Sequence, residues 1–331
     1  MEPRGGETII GNKLKEIGGY FSLENFEGEE YYNNLIAINS VRNGLAYIIE
    51  SLKIKKIWLP FYLCDSIQGI CEKYKLKCSF YEINDAFEPQ IDLRNPLGKG
   101  EYIYIVNYYG QLRENCVRQY KEKYCNIILD NTQAFFVKPF DDIITLYNCR
   151  KFFGVPDGAY ISGIPIMDKY LGIDISGSRM LHLLGRYEIG AAEFYKEYQN
   201  AEDQFDNMEL LYMSKLTHNL LRAINYDSVK KKREENFSTL YNELKNYNCL
   251  GIELSSGPYV YPFMHPDAIN IKKQLINNNV YVPTLWPEVI KKGESVHAMK
   301  LAANIIPLPV DQRYNREDME IIIDIVKNIC K

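Results

Sequence analysis

The chain has 331 residues, 46% of them hydrophobic and 25% charged, with a net charge of −4. That balance belongs to a globular protein with a sizeable core and excludes collagen-like, disordered and strongly basic nucleic-acid-binding chains. No uninterrupted apolar run approaches a membrane span, and the opening "MEPRGGETIIGNKLKEIGGY" lacks the apolar centre of a signal peptide. No membrane and no nucleic acid is therefore expected as a partner. The densest basic run, "KKKR" at 230–233, is followed at once by "EE" and reads as a solvated helix face.

Helix and strand patterns alternate from about residue 36 to 166. "SVRNGLAYIIESL" is helical, "KKIWLPF" a short strand, and "DSIQGICEKYK" a helix with Asp65 as a candidate N-cap. "KCSFYEI" and "EYIYIV" read as strands, "RENCVRQYKEKY" as a helix, and "NIIL", "DIITLY" and "GAYISGIPI" as strands. Three helical stretches follow, over 187–205, 208–224 and 228–246. The remainder mixes strands "YVYPF" and "VYVPTLW" with helices "PDAINIKKQLINNN" and "REDMEIIIDIVKNIC". The class is α/β: a mainly parallel sheet covered by helices, with a small α+β domain at the C-terminal end. The expected division is an N-terminal arm over 1–20, a large domain over 21–225 and a small domain over 226–331.

The eight cysteines form no C-x-x-C pair, and most sit in apolar runs, which suits free thiols in a reducing cytoplasm. The four histidines stand at no ligand spacing to one another or to a cysteine, so no metal site is expected.

Chemistry concentrates at two strand ends. Asp130 follows "IIL", and Lys151 follows "ITLYNCR". In parallel α/β sheets ligands sit outside the carboxyl ends of the strands. An aspartate and a lysine delivered there suit pyridoxal 5'-phosphate: the lysine amine condenses with its aldehyde, and the aspartate keeps its ring nitrogen protonated. A helix start serves a phosphate, and "INSVRNGLAYIIE" offers one, with Ser40 to cap, the amides of Val41, Arg42 and Asn43 free, and the Arg42 side chain beside them. Neither G-x-G-x-x-G after a strand nor G-x-x-x-x-G-K-[ST] occurs, which removes the main support for dinucleotide or P-loop binding.

The order of "NSVRNGL", "WLPFYLCDS", "VNYYGQ", "ILDNTQA", "YNCRKFFGVPDGAY" and "VPTLWP" resembles the DegT/DnrJ/EryC1/StrS family of sugar aminotransferases, and in particular a short, divergent branch of it. The resemblance runs from about residue 18 to 313. It implies the three-layer fold-type-I architecture of pyridoxal-phosphate transferases. It also implies Lys151 as the catalytic lysine, Asp130 as partner of the ring nitrogen, Gln133 near the ring hydroxyl, and Arg42 and Asn43 at the phosphate. The aromatic that stacks on the ring falls by strict counting on Cys64, with Tyr62 the nearby candidate. Asn107 and Tyr109 match a pocket strand end, and Arg186 a residue reaching across a dimer interface. Tyr20, in "GGYF", and the "LWP" at 285–287 are candidate substrate walls.

The chain departs from the family pattern at two places. Ser-Gly-Thr at the helix start is replaced by Ser40-Val41-Arg42, and the serine upstream of the lysine by Asn148. Arg42 can compensate for the first loss. The reaction implied is transfer of an amino group, with glutamate as donor, to a nucleotide-linked keto-sugar in cell-surface polysaccharide or secondary-metabolite biosynthesis, by a homodimer with shared sites. Arg150 is expected to lower the pKa of the neighbouring amine. Two other readings stand beside it: a dehydratase or lyase using the same cofactor, and a non-catalytic scaffold that binds a sugar or protein partner.

Overall fold

A computed structural model of the chain describes residues 17–93 and 95–330, so the first sixteen residues of the expected arm lie outside the described residues. In chain order the first half runs β1 (Ile36–Ile38), α1 (Val41–Leu52), β2 (Lys56–Pro60), α2 (Asp65–Lys73), β3 (Lys77–Ile83), β4 (Pro89–Gln90), β5 (Glu101–Val106), α3 (Glu114–Tyr124), β6 (Ile127–Asp130), β7 (Ile144–Asn148) and β8 (Ala159–Ser162). The second half runs α4 (Leu181–Glu188), α5 (Tyr195–Asp203), α6 (Lys215–Arg222), α7 (Tyr226–Leu244), β9 (Val260–Met264), α8 (Ala268–Asn277), α9 (Pro287–Lys292), α10 (Val296–Asn304), β10 (Ile305–Pro309) and α11 (Arg316–Cys330).

The first eight strands make one sheet in the order β1-β8-β7-β6-β5-β2-β3-β4. Its centre, β3 to β7, is parallel; β4 and β8 run antiparallel to it, and β1, antiparallel to β8, runs with the centre. Strands such as "IIL" carry no polar alternation because both of their faces are covered. Strand order runs one way from β2 to β3 and the other way from β5 to β6, so the β5–β2 boundary is a topological switch point. The carboxyl ends of β2, β5, β6 and β7 then deliver Tyr62, Asn107, Asp130 and Lys151 to one edge of the sheet. α1 crosses this sheet closely at Gly44, where a Cβ would meet Leu146 Cδ2 at 2.8 Å. β9 and β10 pair antiparallel in a second, two-stranded sheet, and one apolar cluster continues from Ile38 through both sheets to Val326.

Five local expectations are corrected. Asp65 is the first residue of α2 and not its cap; Cys64 holds the cap position without a side-chain bond, and the Asp65 carboxylate meets Lys292 at 2.5 Å instead. The strand expected over 158–166 stops at Ser162, because Gly163 turns at φ +73° with its backbone pressed against Ile143 O. The helix expected over 187–205 is broken between α4 and α5, around Gly190. The helix expected over 208–224 begins only at α6, where Ser214 accepts from Thr217 N; before it, Tyr212 is extended and bridges Ile38 and Ile173. "VYVPTLW" is no strand: Val280 N closes α8 on Leu275 O, Pro283 lacks a donor, and Trp286 turns at φ +54°. β10 went unanticipated because "IIPLP" carries two prolines, which a strand tolerates when its only partner is β9.

Candidate active site

Asp130 ends β6, in register with Val106 of β5 and Leu146 of β7. Its side chain is buried. Oδ2 accepts from the Tyr104 hydroxyl at 2.8 Å, and Oδ1 from Thr132 N at 2.8 Å. Burial pushes the carboxyl above its ordinary pKa; the Thr132 and Tyr104 hydrogen bonds and the positive charge of Lys151 oppose the rise. The lysine thus acts on the carboxylate through space.

Lys151 lies three residues beyond β7 in a turn held from the sheet side. Arg150 N donates to Asn148 Oδ1 at 2.9 Å, while Phe152 N and Phe153 N both donate to Cys149 O, at 3.0 and 2.9 Å. Asn148 therefore shapes the lysine turn. The Lys151 amine is half-buried and stands 4.9 Å from the centre of the Tyr259 ring. Among the described residues it has no carboxylate partner and no hydrogen bond.

The start of α1 is joined to this turn through one glycine. Gly158 N donates to Asn39 O at 2.9 Å, and Cys149 N to Gly158 O at 3.1 Å. Gly158 has φ +115° and sits against Met213, Thr217 and Cys149, so only glycine fits. Ser40 Oγ accepts from Asn43 N at 3.2 Å, which leaves the amides of Val41 and Arg42 without intrahelical partners. Asn43 is occupied structurally, its amide donating to Asn39 Oδ1 and Glu209 O. Arg42 meets Asp206 at 3.3 Å, and its buried Nε has no partner among the described residues.

Gln133 Oε1 accepts from Tyr109 N at 2.8 Å and holds Tyr109 at φ +56°, which leaves the Gln133 amide without an acceptor among the described residues. Asn107 is fully engaged, donating to Asn131 Oδ1 and accepting from Leu112 N. Tyr62 shares a hydrogen bond of 3.0 Å with the Tyr109 hydroxyl, stacks on Tyr108 at 5.2 Å and meets Trp286 edge-on at 4.5 Å, so its ring packs against two other aromatics. Cys64 is half-buried, with Sγ 2.9 Å from Ser66 Oγ, and lies close enough to Tyr104 and Tyr108 to raise their pKa values.

Three expected residues stand apart. Tyr20 is 99% exposed. Arg186 lies on the exposed side of α4. Arg150 turns away from its neighbour: it pairs with Glu202 and lies 3.8 Å over the Phe205 ring, which spends its charge on α5 and the turn after it. A cavity of about 760 Å³ is lined by Glu30, Tyr160, His218 and Arg222 and by neither Asp130 nor Lys151.

Sequence reasoning missed Tyr104, Tyr259 and Arg233. The signal for Tyr104 was present: a tyrosine inside "YIYIV" buries a hydroxyl that needs a partner.

No protein-family model and no curated protein matches the chain. Solved structures share its fold. DesV of S. venezuelae, in complex with a ketimine intermediate, is 14% identical over 89% of this chain and 84% of that one, with a TM-score of 0.61. A DegT DnrJ EryC1 StrS aminotransferase from Brucella abortus is 13% identical over 89% and 85%, with a TM-score of 0.62. The E. coli GDP-4-keto-6-deoxy-D-mannose-3-dehydratase with bound hydrated PLP is 11% identical over 89% and 87%, with a TM-score of 0.60. At these identities the likeness is one of fold.

Proposed function

We propose that the chain is a pyridoxal-phosphate-dependent aminotransferase that moves an amino group from glutamate to a nucleotide-linked keto-sugar. One observation carries the reading: Asp130 and Lys151 leave the carboxyl ends of adjacent parallel strands, and the lysine's charge reaches the buried carboxyl. The residues fit the cofactor. A buried carboxyl pushed up by desolvation is a ready partner for a ring N–H cation. An orphaned buried Arg42 Nε beside two free helix-start amides suits a phosphate.

When bound, pyridoxal phosphate supplies the electron sink that lets a proton leave the donor's α-carbon. Asp130 holds the proton on the ring nitrogen, and Tyr104 and Thr132 N hold Asp130 in place. The amides of Val41 and Arg42, with Arg42 Nε, would hold the phosphate. The Gln133 amide is free to meet the ring hydroxyl. Lys151 would anchor the cofactor through its amine and, as a free amine, would move the proton at the donor's α-carbon.

The keto-sugar and the donor rest on the family resemblance, and the aminotransferase of that family name that shares the fold supports the reaction type. Exposed Leu181, Leu184, Tyr187, Ile189 and Tyr195 on and around α4 and α5 support a homodimer in which Arg186 faces the partner. Eight free cysteines support a reducing, cytoplasmic setting. The units within the chain are an arm, a cofactor-binding unit over 21–225 and a small unit over 226–331.

Addition of pyridoxal phosphate is expected to give a yellow protein that glutamate bleaches, while Lys151→Ala gives no such band. A wild-type band that no amino donor bleaches would contradict the transferase. A dehydratase of the same fold supports the second reading, which predicts loss of a sugar hydroxyl with no amine in the product. Product analysis with and without glutamate separates the two.

A further inference from the structure

Arg233, in the middle of α7, is 1% exposed. Its guanidinium reaches three separate segments. Nη2 donates to Phe152 O at 3.1 Å, Nη1 to Pro258 O at 3.0 Å and Tyr259 O at 3.3 Å, and Nε to Gln312 Oε1 at 2.9 Å. Gln312 Nε2 also donates to Phe152 O, at 2.8 Å. Burial lowers the Arg233 pKa to about 10, which leaves it a cation at neutral pH. Among the described residues none of its hydrogen bonds goes to a carboxylate. The acid whose charge acts on it, Asp311, is held by Arg313 at 2.7 and 2.9 Å. Burying a charge among neutral carbonyls is costly, and ion pairing does not account for it here. The planar fork does: it joins segments far apart in sequence in one fixed arrangement.

Those segments are the two sides of one contact. Phe152 directly follows Lys151, and Tyr259 carries the ring 4.9 Å from the Lys151 amine. The sheet holds the upstream side of the lysine turn through Cys149 and Asn148. Its downstream side is held by Arg233 and Gln312 alone among these bonds. We propose that Arg233 is a positioning residue for Lys151, fixing the lysine-bearing turn and Tyr259 relative to each other so that the ring faces the amine. The placement matters for catalysis only if the proposed function holds, but it can be measured without cofactor.

The experiment labels the full chain, without added pyridoxal phosphate, with a pulse of acetic anhydride. Mass spectrometry reads acetylation of Lys151 against Lys231, which is 79% exposed and serves as internal standard. The variants are Arg233→Met, Arg233→Lys, Gln312→Ala and Tyr259→Leu. Releasing the amine from the ring is expected to raise the Lys151:Lys231 ratio by about two- to fivefold, the factor that corresponds to a lost cation–π contact. Tyr259→Leu and Arg233→Met give the full rise. Arg233→Lys, which keeps the charge and loses the fork, restores thermal stability and not the ratio. Gln312→Ala keeps the buried cation and guards against an Arg233 variant that does not fold; it gives a smaller rise in the same direction. An unchanged ratio in Gln312→Ala together with any folded Arg233 variant overturns the proposal, as does a full return of the ratio in Arg233→Lys. A wild type that gives no yellow band with pyridoxal phosphate would sink the proposed function and leave this ratio as it is.

Discussion

The Tyr104 hydroxyl donates to Asp130 Oδ2 at 2.8 Å, from one strand of the parallel sheet to its neighbour. This bond keeps a desolvated carboxyl aimed past the strand ends. Tyr104→Phe is expected to cost about 1.5–3 kcal/mol at neutral pH, the usual value of a buried bond to a charged acceptor. It should also weaken pyridoxal phosphate binding. Urea denaturation and an absorbance titration check the two effects.

Asp130 itself should trade stability for function. Its pKa is raised in the folded chain, so the folded state holds the proton more tightly than the unfolded one. That contribution is fully present below the unfolded value, near the ordinary carboxylate range, and is lost as pH rises through the folded value. Asp130→Asn keeps acceptors for Tyr104 and Thr132 N without the desolvated charge. Without cofactor, the variant is expected to be about 1–2 kcal/mol more stable than wild type at neutral pH, within the range of single stabilising substitutions. The advantage should shrink towards pH ~3, below the unfolded value, where the wild-type carboxyl is protonated in both states. Added pyridoxal phosphate should reverse the order by stabilising only the wild type. Urea midpoints at the two pH values, with and without cofactor, check this.

Arg42 is partly occupied by Asp206 at 3.3 Å, in an exposed pair of the kind worth ~0–1 kcal/mol. Asp206→Asn should leave stability nearly unchanged and release the guanidinium for a phosphate. Affinity for pyridoxal phosphate is expected to rise by about two- to fivefold, the equivalent of such a pair. Affinity for pyridoxal, which lacks the phosphate, should not move. Equal gains for both ligands would place Arg42 outside the phosphate cup.

Phe205 is buried between Arg150, 3.8 Å from its ring, and Arg179, at 5.6 Å. Phe205→Ala is expected to cost about 3 kcal/mol, as for other buried aromatics. It should also loosen α5 before the sheet unfolds. Limited proteolysis within 189–206, compared with the urea midpoint, checks the order of events.

The sheet edge was legible because its strands are short apolar runs ending in single polar groups; Asp130 and Lys151 announced themselves that way. The cap at Ser40 and the long α7 were equally plain. Three things were not. The surroundings of Tyr62, the candidate on "WLPFYLC" to stack on a ring ligand, could not be read, because Tyr108 and Trp286, which meet its ring, arrive from distant segments. The neutralisation of Arg150 by Glu202 spans 52 positions, and no local pattern encodes it. Arg233 sat inside the run "KKKR" and read as solvent-facing. The helix period gives it a different direction from Lys231 two positions earlier, and only the tertiary fold decides which of the four is buried.

The most direct measurement is reductive trapping. The full chain is incubated with pyridoxal phosphate and then with borohydride, and its peptides are mapped by mass spectrometry. The account predicts one phosphopyridoxyl group per chain, on Lys151, and its loss in Lys151→Ala. Label spread over surface lysines, or carried by another residue while Lys151 stays unmodified, would contradict it.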